Sequence, residues 1–445
     1  MLSVIIKREI LEYIKSAKFL IGLGITVVLL VISTLINIQD YRTRHQDYLD
    51  AQRDLTKDTF YVRVLRPPQM LSILSQGKDR KLGNSLTMTY LNLPYRTSGY
   101  LGQYRSKHNQ YAAGFAAVDF SFIVRVVLSL MVIFLAYNAI SEEKSRGTLK
   151  QALANALPRD QILLGKFIGG LFVILGSLLI STAFAVLVML FHPAISVVGS
   201  DWLRILLILG ISALYLMCFY TLSLFISVVV NRPATALMIL LQIWIFLIII
   251  IPNIGVIAAS NLYPLPSQQE IAQQKRAAFS PYAEEFKKVR DTFTQAVRNA
   301  QPVPEEIGKR NIELWTLQTD MNFQVDSEFS RNLTAQMNFA RNISLLSPTV
   351  LFDQTVNRYA KTGMDEFEKF MEGVYRHWQR LTERQKLRYS DIKAYRETKL
   401  PEFSYPSEPM SRSFVPTLPQ WILLFLFSLI FFILAYVKFL KKDVR

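Results

Sequence analysis

The sequence predicts an α-helical polytopic membrane protein, with six transmembrane helices and a mostly helical extracytoplasmic domain built from two insertions. Three observations lead there. Hydrophobic residues make up 51% of the 445 positions, and the mean hydropathy is positive. Six apolar runs, at 19–38, 118–140, 163–191, 202–230, 234–259 and 418–439, are long enough to cross a core of about 30 Å at about 1.5 Å per residue. Finally, the basic residues are placed unevenly. Lys7, Arg8, Lys15 and Lys18 precede the first run; Lys144, Arg146, Lys150, Arg159 and Lys166 lie around the 141–162 interruption; Arg232 separates the fourth and fifth runs; Lys438, Lys441, Lys442 and Arg445 close the chain. All four places fall on one side if the spans alternate, which is the positive-inside pattern and puts both termini in the cytoplasm. This placement accounts for the net charge of +16 without nucleic acid.

Residues 1–18 set Leu2, Ile5, Ile6, Ile10, Tyr13 and Ile14 against Lys7, Arg8, Glu9, Glu12 and Lys15, the pattern of an amphipathic helix lying in the membrane interface. The first span, 19–39, continues outward as a stalk, because Tyr41, His45, Tyr48, Leu49 and Leu55 keep helical spacing. Within the first insertion, 40–117, Tyr61, Val62, Val64 and Leu65 read as a strand that Pro67 and Pro68 stop. The second span, 118–140, carries Arg125 about 10 Å below its outer boundary. Two readings of that arginine stand: snorkelling to headgroups, or offering a cation to an acidic substrate headgroup on a path between two bundles.

Between the second and third spans, residues 141–162 leave the membrane. Glu142, Glu143, Lys144 and Arg146 would each cost about 2.5 to 3.5 kcal/mol inside it. Gly147 permits a turn. From Thr148, Leu149, Ala152, Leu153, Ala156 and Leu157 recur at helical spacing until Pro158, giving a short amphipathic helix clamped at both ends, and Asp160 is placed to cap the helix that re-enters. A held helix of this kind suits a groove on a soluble partner. The third to fifth spans follow at 163–191, 202–230 and 234–260, the short 192–201 loop having no Lys or Arg. The second insertion, 261–417, shows helical spacing over 267–300, 305–342 and 364–393, with Pro348 opening a shorter helix; the sixth span, 418–439, leads to a tail, 440–445.

Several chemistries lack their residues. Cys218 is the single cysteine, and the four histidines have no ligand spacing, so no metal site is expected. Paired carboxylates, HExxH and GxSxG are missing from the spans, which argues against an intramembrane enzyme. GxxxxGK[ST] is absent, so this chain has no P-loop for ATP.

The order Glu142-Glu143-Lys144-Ser145-Arg146-Gly147-Thr148-Leu149, then Pro158-Arg159, then Gly165-Lys166, resembles the cytoplasmic loop of ATP-binding-cassette permeases of the type-2 exporter class. RNISLLSPTVLFDQTVNRYAKTG followed by FEKFMEGVYRHW resembles the outer domain of a subgroup that includes permeases of gliding-motility and nitrous-oxide-reductase maturation systems. The resemblance implies an elbow helix with Ile6, Ile10 and Tyr13 near the ATPase. It also implies an ATPase interface of Glu142, Glu143, Arg146, Gly147, Thr148, Leu149, Leu153, Leu157, Pro158 and Arg159. The partners implied are two copies of a separate ATPase subunit, which hold the ATP and Mg, and a second permease, identical or similar. The expected setting is the inner membrane with its lipids. Two functions share these features: export of an amphipathic or lipid-like substrate, and mechanical coupling to an extracytoplasmic partner protein without transport.

Overall fold

The computed structural model describes residues 2–53, 62–79, 84–88, 101–102, 118–149, 151, 158–193, 195–299, 301–390, 394, 397–405 and 410–441. Six of its helices are long and apolar enough to cross a membrane. After α1 (Leu2–Lys15) these are α2 (Ala17–Arg53), α3 (Phe120–Ser145), α4 (Arg159–Leu190), α5 (Gly199–Val229), α6 (Pro233–Leu262) and α12 (Leu418–Lys441). Between α2 and α3 lie β1 (Val62–Leu65), β2 (Ser85–Met88) and β3 (Leu101–Gly102). Between α6 and α12 lie α7 (Gln268–Phe279), α8 (Ala283–Arg298), α9 (Glu305–Ser344), α10 (Pro348–Tyr359) and α11 (Met364–Ser390).

Helix α5 is the centre of the bundle. Tyr215, Leu216, Phe219, Tyr220 and Leu224 are fully buried along it, with α3, α4, α10 and α12 packed around. Burial separates the spans: 61% of the apolar window is buried in α3 and α5 but 11% in α6, whose Ile249, Ile254, Val256 and Ile257 face outward from the bundle. Lipid is as apolar as these side chains, so such a face needs no protein cover in a bilayer.

The first span continues outward as the expected stalk, in one unbroken helix through Arg53. Two elements differ from the sequence reading, each for a local reason. The second span is interrupted: Ile123–Leu128 is π-helical, and a turn at 137–140 precedes the last helical turn, Ser141–Ser145. The expected helix at 267–300 is two, α7 and α8, because Pro281 sits in a 3₁₀ turn at Ser280–Tyr282, where its missing N–H and fixed φ suit a helix start.

The two insertions build one module. The antiparallel sheet, ordered β1-β2-β3 with Val62 opposite Met88 and Leu65 opposite Ser85, lays Val64, Leu86 and Met88 against Phe367, Phe370, Val374 and Leu381 of α11. Helices α7 and α8 fold back on α9 around Phe279, Phe286, Leu314 and Trp315, with the Phe286 and Trp315 rings edge to face at 5.2 Å. The other end of α9 descends along α6, where a side chain in place of Gly255 would strike Ser344 Oγ at 2.6 Å.

The module rests on the bundle at two places. On α2, Asn37 donates to the Ile73 carbonyl at 3.1 Å and accepts from Gln76 Nε2 at 2.8 Å, while Arg44 pairs with Asp40 at 2.9 Å and Asp79 at 2.5 Å. Deeper in the bundle, α10 packs its apolar face, Leu351, Phe352, Val356 and Tyr359, on α5 and α12.

Candidate functional site

At the end of the bundle that carries the chain termini, α1 lies flush against the start of α4. Gly165 and Gly169 permit this approach: a Cβ at Gly165 would sit 2.5 Å from Ile5 Cγ2, and one at Gly169 would sit 2.9 Å from Glu9 Cβ and 3.3 Å from the Ile6 carbonyl. Small residues four apart are the usual means by which two membrane helices come this close.

Between those glycines Lys166 projects into the junction. Its ammonium is 2.8 Å from Glu9 of α1 and 2.8 Å from Glu143 of the α3–α4 loop, and its side chain is only 5% exposed. Three segments distant in sequence therefore meet at one buried cation. Burial pushes the Glu9 carboxyl above the ordinary range, and the Lys166 ammonium pulls it back. The backbone carbonyl of Lys166 also accepts from Tyr220 of α5 at 2.6 Å, which brings the bundle core into the same junction.

The loop itself is fixed at its start. Lys144 donates to the last carbonyls of α5, those of Ser227 and Val230 at 3.2 Å and that of Val228, so a cation caps the negative end of that helix. Ser227 Oγ accepts from the Ile140 and Ser141 amides at 3.0 Å. Gly147 then takes φ +76°, a left-handed turn that closes the short helix. Glu142 pairs with Arg146 at 2.6 Å, and Thr148 is exposed beside them. A cleft of about 490 Å³ opens between α1 and this loop, walled by Arg8, Glu9, Glu12, Tyr13, Glu142, Glu143, Arg146, Thr148 and Lys166. It offers both signs of charge, and it suits a polar protein surface better than an apolar ligand.

A family model described as ABC-2 family transporter protein matches residues 3–444. The chain belongs to the ABC-2 transporter family. No curated protein sequence matches it. As an ABC-2 permease it is a multi-pass membrane subunit that works with a separate ABC ATPase subunit.

The expected interface residues of this ABC-2 permease do not all point the same way. Glu142, Arg146, Gly147, Thr148 and the exposed Pro158 line or border the open side of the loop, while Glu143 is turned inward to Lys166. Leu149, expected at the ATPase interface, is only 2% exposed: it packs with Ile140, Ile162, Leu163, Val228 and Phe439 and anchors the loop to the bundle. Leu153 and Leu157 lie outside the described residues. Arg159 donates to the Leu440 carbonyl at 3.0 Å, tying the head of α4 to the end of α12. Asp160 stands in the first turn of α4, where its charge favours the helix dipole, and is not the cap; Pro158 holds that position.

On α1, Ile10 and Tyr13 pack against the core, and the Ile6 carbonyl lies over Gly169. The amphipathic pattern puts Glu9 on the polar face, but that carboxylate is buried, whereas Val4, Leu11 and Ile14 are exposed. Beside a membrane the outward face can be apolar, so a helix paired to Lys166 can turn its charge inward. In the sequence Lys166 reads as one of the basic residues around the loop and Glu9 as part of the polar side of residues 1–18. The available signal was a lysine inside an apolar run flanked by glycines four apart.

Arg125 is far from this junction. It lies in the π-helical stretch of α3 and pairs with Asp353 of α10, its side chain 30% exposed and that of Asp353 22%. Asp119, six positions before it, accepts from the Phe122 and Gln76 amides at 2.7 and 2.8 Å. The charge expected to meet lipid or substrate is thus met within the chain. Among the described residues no group of three or more potential metal ligands occurs.

Proposed function

We propose that this chain is the permease of an ABC exporter for an amphipathic or lipid-like substrate, with two ATPase subunits docking on the cleft between α1 and the α3–α4 loop. The observation that carries this reading is the Glu9–Lys166–Glu143 junction, which joins the elbow helix, the loop and the head of α4. A push on any of the three reaches the other two. In this reading the junction faces the cytoplasm of an inner membrane and the insertion module faces out, in line with the basic residues around it. A second permease copy, or a similar permease, completes the path: the centre of a single bundle is filled by Tyr215, Phe219, Tyr220 and Phe352, which leaves substrate to pass between bundles.

A mechanical coupler is the second reading. It is favoured by the shared core of β1, β2 and α11, which makes the two insertions one body able to act on an external partner. The gliding-motility and nitrous-oxide-maturation subgroup belongs to this same proposal.

Reconstituted with its ATPase, the complex should hydrolyse ATP faster when given candidate lipids if it exports, and faster with candidate external proteins if it couples. Orientation is tested separately. A Ser327→Cys label on α9, in a Cys218→Ala background, should react with an impermeant maleimide on intact cells; reaction only after lysis would reverse the topology.

A further inference from the structure

We propose that Asp353 is the residue through which motion at the ATPase-docking loop reaches the insertion module: α3 carries the motion to Arg125, and the Arg125–Asp353 pair passes it to α10. This rests on the docking reading above and adds to it a route and a receiving residue.

Continuity comes first. Helix α3 carries Arg125 near its start and ends in Ser141–Ser145, the turn at 137–140 between them being bridged by the Glu142 N–H donating to the Asn138 carbonyl and the Lys144 N–H to the Ile140 carbonyl, each at 3.1 Å, so the loop with Glu142, Glu143 and Lys144 is joined to the far end of the same span. It is not a uniform rod. Its π-helical stretch, Ile123–Leu128, contains Arg125, and the other described π-helical stretch in the spans, Phe246–Ile250 of α6, contains Leu247, whose carbonyl accepts from Ser347 Oγ at 2.6 Å at the start of α10. Both π-helical stretches thus border the same end of α10. Such stretches close i→i+5 hydrogen bonds in place of i→i+4, and they are places where helices kink.

Depth gives the pair its weight. Helix α10 starts beside Tyr215: Thr349 Oγ1 is 3.4 Å from the Tyr215 hydroxyl, and Phe352 stacks on the Tyr215 ring at 4.7 Å. Tyr215 precedes Val229, the end of α5, by 14 residues, which is about 21 Å along the helix. That places the start of α10 within a hydrocarbon layer of about 30 Å. At this depth an arginine left without its carboxylate is costly, so the pair constrains α3 against α10 far more than a surface ion pair would. Both side chains remain partly exposed at the flank of the bundle, so the contact can shear without opening the core.

The far end of α10 is locked to the module. Ser75 Oγ donates to Asn357 Oδ1 at 2.7 Å and the Lys78 amide donates to the Thr362 carbonyl at 2.9 Å. Lys361 takes a left-handed φ of +58°, in a tight corner closed by Thr362 N–H donating to the Asn357 carbonyl at 2.9 Å, and α11 with the module core begins three residues later. At its last residue α10 is fixed to the head of α12 as well, through the Tyr359 hydroxyl to Thr417, which precedes that helix, at 2.6 Å and through Trp421 Nε1 to that hydroxyl at 3.0 Å. Helix α10, α12 and the module are therefore one body. It touches the head of α3 through the Gln76 N–H donating to Asp119 at 2.8 Å and the Ser121 N–H donating to the Leu74 carbonyl at 3.3 Å, and the Asp353 carboxylate, which also accepts from Ser121 Oγ at 3.2 Å, is its ionic link to α3 through Arg125.

The test is hydrogen exchange over β1, β2 and α11 in the full permease–ATPase complex in lipid nanodiscs, with and without ADP-vanadate. Wild type should show a nucleotide-dependent change in those segments. Asp353→Asn should lose that change while keeping ATPase association and basal hydrolysis, Asp353→Glu should keep most of it, and the charge swap Arg125→Asp with Asp353→Arg should restore it. A wild-type complex that hydrolyses ATP with no change in the module, or an Asp353→Asn complex that keeps the full change, overturns the proposal. So does a charge swap that folds and hydrolyses ATP without restoring the change. Should Asp353→Asn fail to fold, the charge swap and the glutamate variant decide. Failure of the wild-type chain to bind the ATPase at all overturns the docking reading instead.

Discussion

The two ends of the bundle are held together by opposite means. At the termini end, three segments converge on a single buried cation, Lys166, and the helix packing beneath it depends on two glycines. At the insertion end, attachment is spread over many contacts, among them Asn37 with Ile73 and Gln76, Arg44 with Asp79, Ser75 with Asn357, Tyr359 with Thr417, and the apolar face of α10. Removing one partner from a hub leaves an uncompensated buried charge, whereas removing one from a spread network leaves the others in place. The difference matches the proposed docking of the ATPase at the termini end.

The largest expected effect is therefore at the hub. Lys166→Leu strands Glu9 without a cation, a loss of about 3–5 kcal/mol for a broken buried pair. Residues 2–15 should then exchange amide hydrogens faster and ATPase co-purification should fall, with Glu9→Gln partly restoring both. Unchanged protection of α1 in Lys166→Leu would remove the contrast between the two ends. Next comes Gly169→Leu, whose side chain runs into Glu9 and the Ile6 carbonyl; overpacking of this sort costs about 1–3 kcal/mol and should give the same loosening of α1 with the ion pair chemically intact.

The insertion module has its own weak point. His377 is buried against Phe403, neither ring nitrogen has a hydrogen-bond partner among the described residues, and burial with Arg380 nearby holds its pKa down to about 4. A folded-state value below the ordinary 6.5 means that its contribution to stability is present above pH 6.5 and is lost as the pH falls toward 4. Exchange protection of α11 should drop between pH 7 and pH 5, and His377→Leu should flatten that drop. Equal acid sensitivity in the variant would show that other groups control the module. The smallest effect is expected for Trp421→Phe, which deletes one hydrogen bond to Tyr359 from a crowded network and should cost about 0.5–1.5 kcal/mol, visible as a slight fall in melting temperature.

The same contrast explains what was legible in the sequence. Six spans, the strand at 62–65, the loop at 141–149 and the helices of the second insertion follow from local periodicity and from the positions of proline and charge, because each is decided within a dozen residues. Pairings across the chain are not decided locally. Lys166 meets Glu9 across 157 positions and Arg125 meets Asp353 across 228, and neither acid is distinguished by its neighbours in sequence. Arg125 could be recognised as a charge in need of a partner, but the helix that supplies it emerges from an insertion that periodicity describes only as polar and helical. The burial of Leu149 is hidden for a related reason: a stripe at helical spacing says which side chains share a face, and not whether that face meets the bundle or a partner.

Hydrogen exchange of the full permease in nanodiscs, with and without its ATPase subunit, tests most directly that the termini end is the docking site. Added protection is expected over residues 2–15 and 141–149, with none in β1, β2 or α11 in the absence of nucleotide. Protection confined to the insertion module, or ATPase binding that leaves α1 and the loop unchanged, would contradict it.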